Sequence, residues 1–201
     1  MKTLSSIQNP EIKKLRLLFQ KTKERKKQSL FVIEGEREIE KALKGGYVLE
    51  SIYIHEAAEH SFEVIISQSK VSNIFLLSAS IFERLSIRSG SEKIIVIAQS
   101  KTHKLEDLIL NETSIILVIE APEKPGNIGA IFRTAAAAKM DAVIVANPKT
   151  DFYNPNSIRS SLGSMFLTPT AIGTSLDVIS FLKKKINLYC NSSNTPRGNE
   201  L

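Results

Sequence analysis

Tryptophan is absent from this 201-residue chain, which holds one cysteine and three histidines. With a single thiol, Cys190, an internal disulfide is excluded. The first twenty residues are charged rather than a charged cap followed by an apolar stretch, so no secretory leader is read there. Together these point to a reducing, cytoplasmic setting. His55, His60 and His103 show no metal-ligand spacing, and no metal is expected. No apolar run is longer than that of Ile115 to Ile119, far short of the roughly 20 residues that cross a bilayer. A membrane span is excluded on length. Internal repeats and low-complexity tracts are lacking too.

What is present is enough apolar material for a core, 42% of residues, and an uneven charge. Residues 1 to 28 hold nine basic side chains against two acidic ones, a local charge of +7, while the other 173 residues carry 18 basic and 19 acidic groups. The basicity is therefore a local device. Concentrated in one segment, it suggests an anionic polymer or surface as partner.

Asn9 and Pro10 open a segment in which Ile12, Leu15, Leu18 and Phe19 recur at helical spacing with Lys13, Lys14, Arg25, Lys26 and Lys27 among its cations, which predicts a basic amphipathic helix. A solvated helix face or a membrane-surface helix would have the same pattern. Beyond it, β-type runs at Leu30 to Glu34, Leu49 to Ile54, Asn73 to Leu77 and Ile94 to Gln99 alternate with helical stretches at Glu36 to Lys44, Glu59 to Ser69 and Ala79 to Ser86. Strands alternating with helices predict an α/β layer structure. The polar stretch SKTHKLED (100–107) is a linker in this reading, separating a domain of residues 1–99 from one of residues 108–201. The second unit is predicted to contain strands at Ser114 to Glu120, Ala142 to Ala146 and Ile186 to Cys190. Helices are predicted from Ile128 to Met140, near Ser157 to Leu162, and from Leu176 to Lys185. The last eleven residues, NSSNTPRGNEL, carry no apolar pattern and read as coil.

Two stretches carry possible chemistry. In ILVIEAPEKPGNIGAIFRTAAAA a buried strand runs through Pro125, Gly126, Asn127, Ile128 and Gly129 into an Ala-rich helix. Glycines at such a turn let a ligand approach the backbone, and a helix N-terminus offers free N–H groups to it. Arg133 follows within the helix, able to lean back toward that end. A Pro-Gly-Asn turn is also an ordinary connector, and a helical arginine is often a solvated charge. The G-x-x-G spacing is not G-x-G-x-x-G, which makes a dinucleotide fold a poor fit. In NPNSIRSSLGSMF, Asn156 or Ser157 can cap a short helix, and Arg159 and Ser161 would face the strand ends where open α/β sheets bind ligands. A plain capped helix ended by Gly163 is the alternative.

In this order and spacing, Pro125-Gly126-Asn127-Ile128-Gly129-Ala130-Ile131-Phe132-Arg133-Thr134-Ala135 followed by Arg159, Ser161 and Gly163 resembles the SpoU branch of the SPOUT superfamily of RNA ribose 2'-O-methyltransferases. QNP, the basic helix and FVIEGEREIEKAL (Phe31 to Leu43) resemble that family's small RNA-binding domain. The resemblance implies an α/β protein with a small N-terminal RNA-binding domain followed by a trefoil-knot type parallel-sheet domain. It implies S-adenosylmethionine as methyl donor, ribosomal or transfer RNA as substrate, and a homodimer. Arg133 would orient the ribose hydroxyl or help remove its proton, and Asn127 would position the substrate. Arg159, Ser161 and the basic residues of the first helix would lie on the RNA, and so would the loop of Glu34, Gly35 and Arg37, for which an ordinary structural use is the alternative.

Family members continue with a further strand, a Gly-x-Glu segment and a Ser-Leu-Asn-x-Ser segment that enclose the donor. Nothing here matches the Ser-Leu-Asn element, and Gly198-Asn199-Glu200 is read as a coincidental likeness to Gly-x-Glu. The expectation is a parallel-sheet domain lacking its C-terminal knot segment, with methyl transfer impaired and the cofactor-binding residues unidentified. A non-catalytic RNA-binding protein, or a decayed fragment of the enzyme, is the competing expectation.

Overall fold

The computed structural model of the chain describes residues 1–87 and 92–192, the last seven by backbone alone. Its first half is a five-stranded mixed sheet in the order β1-β4-β3-β5-β2, made of β1 (Lys2–Leu4), β2 (Leu30–Glu34), β3 (Leu49–His55), β4 (Ile74–Leu77) and β5 (Ile94–Gln99). Period-2 alternation divides these strands between two cores. Leu30, Val32, Ile95 and Ile97 turn to one face, where α1 (Pro10–Gln20) lays down Ile12, Leu15 and Leu18, and α5 (Ala79–Leu85) lays down Ile81 and Phe82. Phe31, Ile33, Ile94 and Val96 turn to the other face. Two further helices, α3 (Glu36–Lys44) and α4 (Glu63–Ser69), link the strands, and α3 adds Ile39 and Ala42 to that second face.

The second half is a three-stranded parallel sheet in the order β6-β7-β8, from β6 (Ile116–Glu120), β7 (Ala142–Ala146) and β8 (Thr170–Gly173). Between the sheets lie α6 (Pro125–Ala137) and α7 (Pro155–Ser161), and α8 (Ser175–Ser192) lies on the far side. Val143 and Val145, with Ile128, Phe132, Ile158, Met165 and Phe166, join the core that holds Phe31 and Ile33. One apolar core thus runs through both halves. Ala142, Ile144 and Ala146 face a third cluster with Leu105, Leu108 and Val178. Glycines make the contact between halves close: a Cβ on Gly45 would strike the Phe166 carbonyl, and one on Gly163 would lie 3.1 Å from the Glu38 Cα.

Three sequence expectations need correction. The basic segment is two helices, α1 and α2 (Thr22–Gln28), broken at Lys21, whose φ of −118° and ψ of 108° are extended. The reason lies in Arg25, whose Nη1 donates to the Leu18 and Phe19 carbonyls at 2.7 and 3.2 Å. Carbonyls left without partners at the end of α1 are satisfied by a side chain from the next helix. The third parallel strand is Thr170–Gly173 and not Ile186 to Cys190, because α8 continues without a Gly or Pro break through Ser192. Of the expected terminal coil, Asn191 and Ser192 belong to α8, and residues 193–201, with Gly198-Asn199-Glu200, lie outside the described residues. Among the described residues no helix is long and apolar enough to cross a membrane.

Candidate active site

The Pro-Gly-Asn stretch is not a loop before a helix but the first turn of α6. Lys124 is its N-cap and Pro125 its first residue, a position where the missing proline N–H costs nothing. Arg133 therefore stands two turns into the helix, further than an Ile128 start implies. At 3.6 residues per turn, Gly126, Ala130, Arg133 and Ala137 share one flank, and all four are exposed. Asn127 is exposed as well. The opposite face buries Ile128, Phe132 and Ala135.

The two motif glycines do different work. A Cβ on Gly129 would strike the Ser157 carbonyl and come within 2.5 Å of the Ser160 Cβ, so this residue lets α6 and α7 cross closely. At Gly126 a Cβ would meet only the Ser160 Oγ, at 3.7 Å. Its surroundings are open, as a site for an approaching ligand requires.

Short as it is, α7 is tightly fixed. Asn154, rather than Asn156 or Ser157, caps it by accepting the Asn156 N–H at 2.9 Å. It ends through Leu162 and Gly163, both at positive φ, 52° and 76°. Lys41 of α3 donates to the Leu162 carbonyl at 2.8 Å. Arg159 is exposed. Ser161 is fully buried: its hydroxyl donates to the Ile158 carbonyl at 2.7 Å and accepts the Gly163 N–H at 3.1 Å. That corrects its expected place on RNA, since Ser161 closes the helix from inside.

The other expected RNA contacts divide in the same way. The buried Glu34 carboxylate accepts from the Ser86 hydroxyl and, at 2.9 Å, from the Ile87 N–H, so it ties down the chain after α5. Gly35 is buried at a φ of 108°, a conformation suited to glycine. Of that loop Arg37 reaches the surface, its Nη2 3.0 Å from Glu38 Oε1. Lys13, Lys26 and Lys27 are exposed, and Lys14 pairs with Glu50. Arg25 is corrected outright: it is 4% exposed and its Nε lies 2.5 Å from Asp151 Oδ2, on the turn before α7.

Two polar clusters were not found in the sequence. At the C-terminal ends of the parallel strands, Ser175 donates to Glu120 Oε2 at 2.5 Å, and the Asn147 Nδ2 lies 3.0 Å from Glu120 Oε1 and 2.7 Å from the Ser175 hydroxyl. The Ser175 bond, then the Asn147 bond and the Lys149 charge, hold the Glu120 carboxyl below its ordinary range. Ala121 and Asn147, just after β6 and β7, adopt φ of 48° and 46°, strained values of the kind that gather at functional sites. Single residues from three separate segments form this cluster, so no motif announced it.

The second cluster sits in the joint between halves. His103 Nδ1 lies 3.2 Å from the Thr170 carbonyl, which can only accept, so Nδ1 carries the proton and Nε2 accepts the Tyr153 O–H at 2.7 Å. The Lys101 N–H donates to the Tyr153 oxygen at 2.9 Å, and the Tyr47 O–H donates to it at 3.3 Å. Burial, assisted by the Lys101 charge and opposed by the Thr170 bond, holds His103 below its ordinary value. Among the described residues no group of His, Cys, Asp and Glu gathers as a metal site.

A parallel sheet with a glycine-opened helix start, joined to a mixed sheet that carries a basic helix pair, defines a two-sheet α/β protein in outline. Comparison with known proteins makes this specific. Residues 9–96 match the MRM3-like substrate binding domain, and residues 114–200 match the SpoU rRNA Methylase family. A solved RNA 2'-O ribose methyltransferase is 34% identical with a TM-score of 0.74, over 90% of this chain and 69% of that one. The 23S rRNA (guanosine(2553)-2'-O)-methyltransferase RlmP of Bacillus subtilis is 31% identical over 84% of this chain. The SpoU methyltransferase AviRb of Streptomyces viridochromogenes, solved in complex with AdoMet, shares the fold at a TM-score of 0.80 and 21% identity, over 90% of this chain and 69% of that one. This chain belongs to the SpoU methylase family. It spans 64% of the length of RlmP.

Proposed function

We propose that this protein is an RNA ribose 2'-O-methyltransferase that takes its methyl group from S-adenosylmethionine and acts on ribosomal or transfer RNA, as a homodimer in the cytoplasm. The observation that carries this reading is the open flank of α6, with Gly126, Asn127 and Arg133 exposed beside α7, in a chain of the SpoU family. Ribosomal RNA is favoured because RlmP is named for 23S rRNA.

A ribose hydroxyl is a weak nucleophile, so methyl transfer to it needs alignment and a path for its proton. Arg133 fits the first need: a guanidinium stays protonated, with a reference pKa above about 12, and donates from a rigid fork. It would orient the 2'-oxygen and steady the charge that develops there, with Asn127 as neutral donor and acceptor. Exposed Arg159 and Arg37 would meet the phosphates. The donor is a sulfonium with an ammonium and ribose hydroxyls, and it supplies an activated methyl group when bound. Among the described residues the strand-end group of Glu120, Asn147 and Ser175 suits it, offering an ionised acceptor where open sheets collect ligands. A partner copy is supported by the exposed apolar side chains Ile115, Val118, Leu176 and Ile179.

The test pairs a calorimetric titration of S-adenosylmethionine with a methyl-transfer assay on unmodified ribosomal RNA. Arg133→Ala is expected to lower turnover by at least about a hundredfold with unchanged melting temperature, since the side chain is exposed. Undiminished transfer by that variant would remove Arg133 from the reaction.

A further inference from the structure

Arg25 belongs by sequence to the basic segment, yet it does not face solvent. Its side chain and that of Asp151 are 3% and 7% exposed, and 126 residues separate them in the chain. The guanidinium is used in three directions: Nε to Asp151, Nη1 to the Leu18 and Phe19 carbonyls, and Nη2 to the Thr22 hydroxyl at 2.9 Å. It fixes the angle between α1 and α2 and fastens both to the second half.

Beyond Asp151 the bonds continue. Its Oδ1 accepts the Tyr153 N–H at 3.1 Å, and its carbonyl accepts the Asn154 N–H at 3.0 Å. Asn154 in turn caps α7, which carries Arg159. On the other side, exposed Lys23, Lys26 and Lys27 flank Arg25 on α2.

We propose that Arg25 is a positioning residue, coupling RNA held on the α2 lysines through Asp151 to the turn that presents α7 and Arg159. The inference rests on the RNA-binding reading above. A buried ion pair is a poor source of net stability, and an apolar pair of similar volume often replaces one at no cost. What the pair supplies here is direction, because a planar fork holds its acceptors at fixed angles. Restraining α2 with a polyanion restrains the fork, and the fork restrains the turn.

Hydrogen exchange of the Tyr153 and Asn154 amides, in the whole chain with and without saturating oligouridylate, tests the coupling. In the wild type, RNA is expected to slow exchange roughly fivefold, the scale of one net hydrogen bond. In Arg25→Met with Asp151→Leu, affinity is expected to stay within about threefold, because Arg25 touches no phosphate, while the slowing vanishes. Should that double variant fail to fold, Asp151→Asn keeps an acceptor for Tyr153 without the charge, and slowing below about twofold is expected of it. Slowing of wild-type size in these variants, or bound RNA without slowing in the wild type, overturns the coupling alone. Absence of RNA binding by the wild type overturns the RNA reading together with the coupling.

Discussion

At the scale of single residues, what a motif position does depends on what its side chain meets. Gly129 and Gly126 sit three residues apart in one helix, but the first is pressed on α7 and the second is open. Gly129→Ala is expected to destabilise the protein by about 1–3 kcal/mol, as overpacking does, measured by urea unfolding. Gly126→Ala is expected to leave stability unchanged or slightly raised while weakening ligand binding, and a large loss of stability there would contradict the open flank. The lysines give a second contrast. Lys26→Met and Lys27→Met should each lower the salt dependence of RNA binding by about 0.7 in log–log slope, whereas Arg25→Met should leave the slope as it is. Equal slopes for all three variants would mean that α2 is not the RNA surface.

Elements were legible where the apolar pattern is strong. The bounds of β2, β5 and β7 follow from short continuous apolar runs, as strands buried on both faces have, and those of α3 from helical spacing between Gly35 and Gly45. β8 did not show itself, because only Ala171 and Ile172 in its four residues are apolar. The break at Lys21 was invisible for another reason: it depends on where the Arg25 side chain points, and a run of cations looks alike whether one of them is buried or not. Of the proposed site, Arg133, Asn127 and Arg159 stand in the motifs and are exposed, while Glu120, Asn147 and Ser175 meet only when three strands line up. The cap of α7 is Asn154 and not Asn156 or Ser157, and the sequence does not separate them because Asn and Ser are both competent caps. Asn154→Ala is expected to cost about 1 kcal/mol in thermal unfolding, and Asn156→Ala close to nothing. The reverse order would place the cap at Asn156.

For the whole molecule, the joint matters as much as either sheet. One core spans both halves, and the polar network of His103, Tyr153 and Tyr47 lies within that seam. His103 is held neutral there, with its folded pKa below the unfolded value near 6.5. The unfolded state then binds more protons, so stability is full above that value and is lost as pH falls through 6.5 toward the folded pKa. Calorimetric melting at about pH 8 and about pH 5.5 should show a drop that His103→Gln reduces. An unchanged drop in that variant would assign the pH dependence to another group. The central claim, methylation of a ribose oxygen by this chain, is tested most directly by where the methyl group goes. Unmodified ribosomal RNA would be incubated with the chain and methyl-labelled S-adenosylmethionine, then hydrolysed in alkali, which cleaves only beside a free 2'-hydroxyl. Label in alkali-resistant dinucleotides, absent with Arg133→Ala, is the expected result. Label in mononucleotides, or no label from protein shown to be folded and to bind the donor, would contradict it.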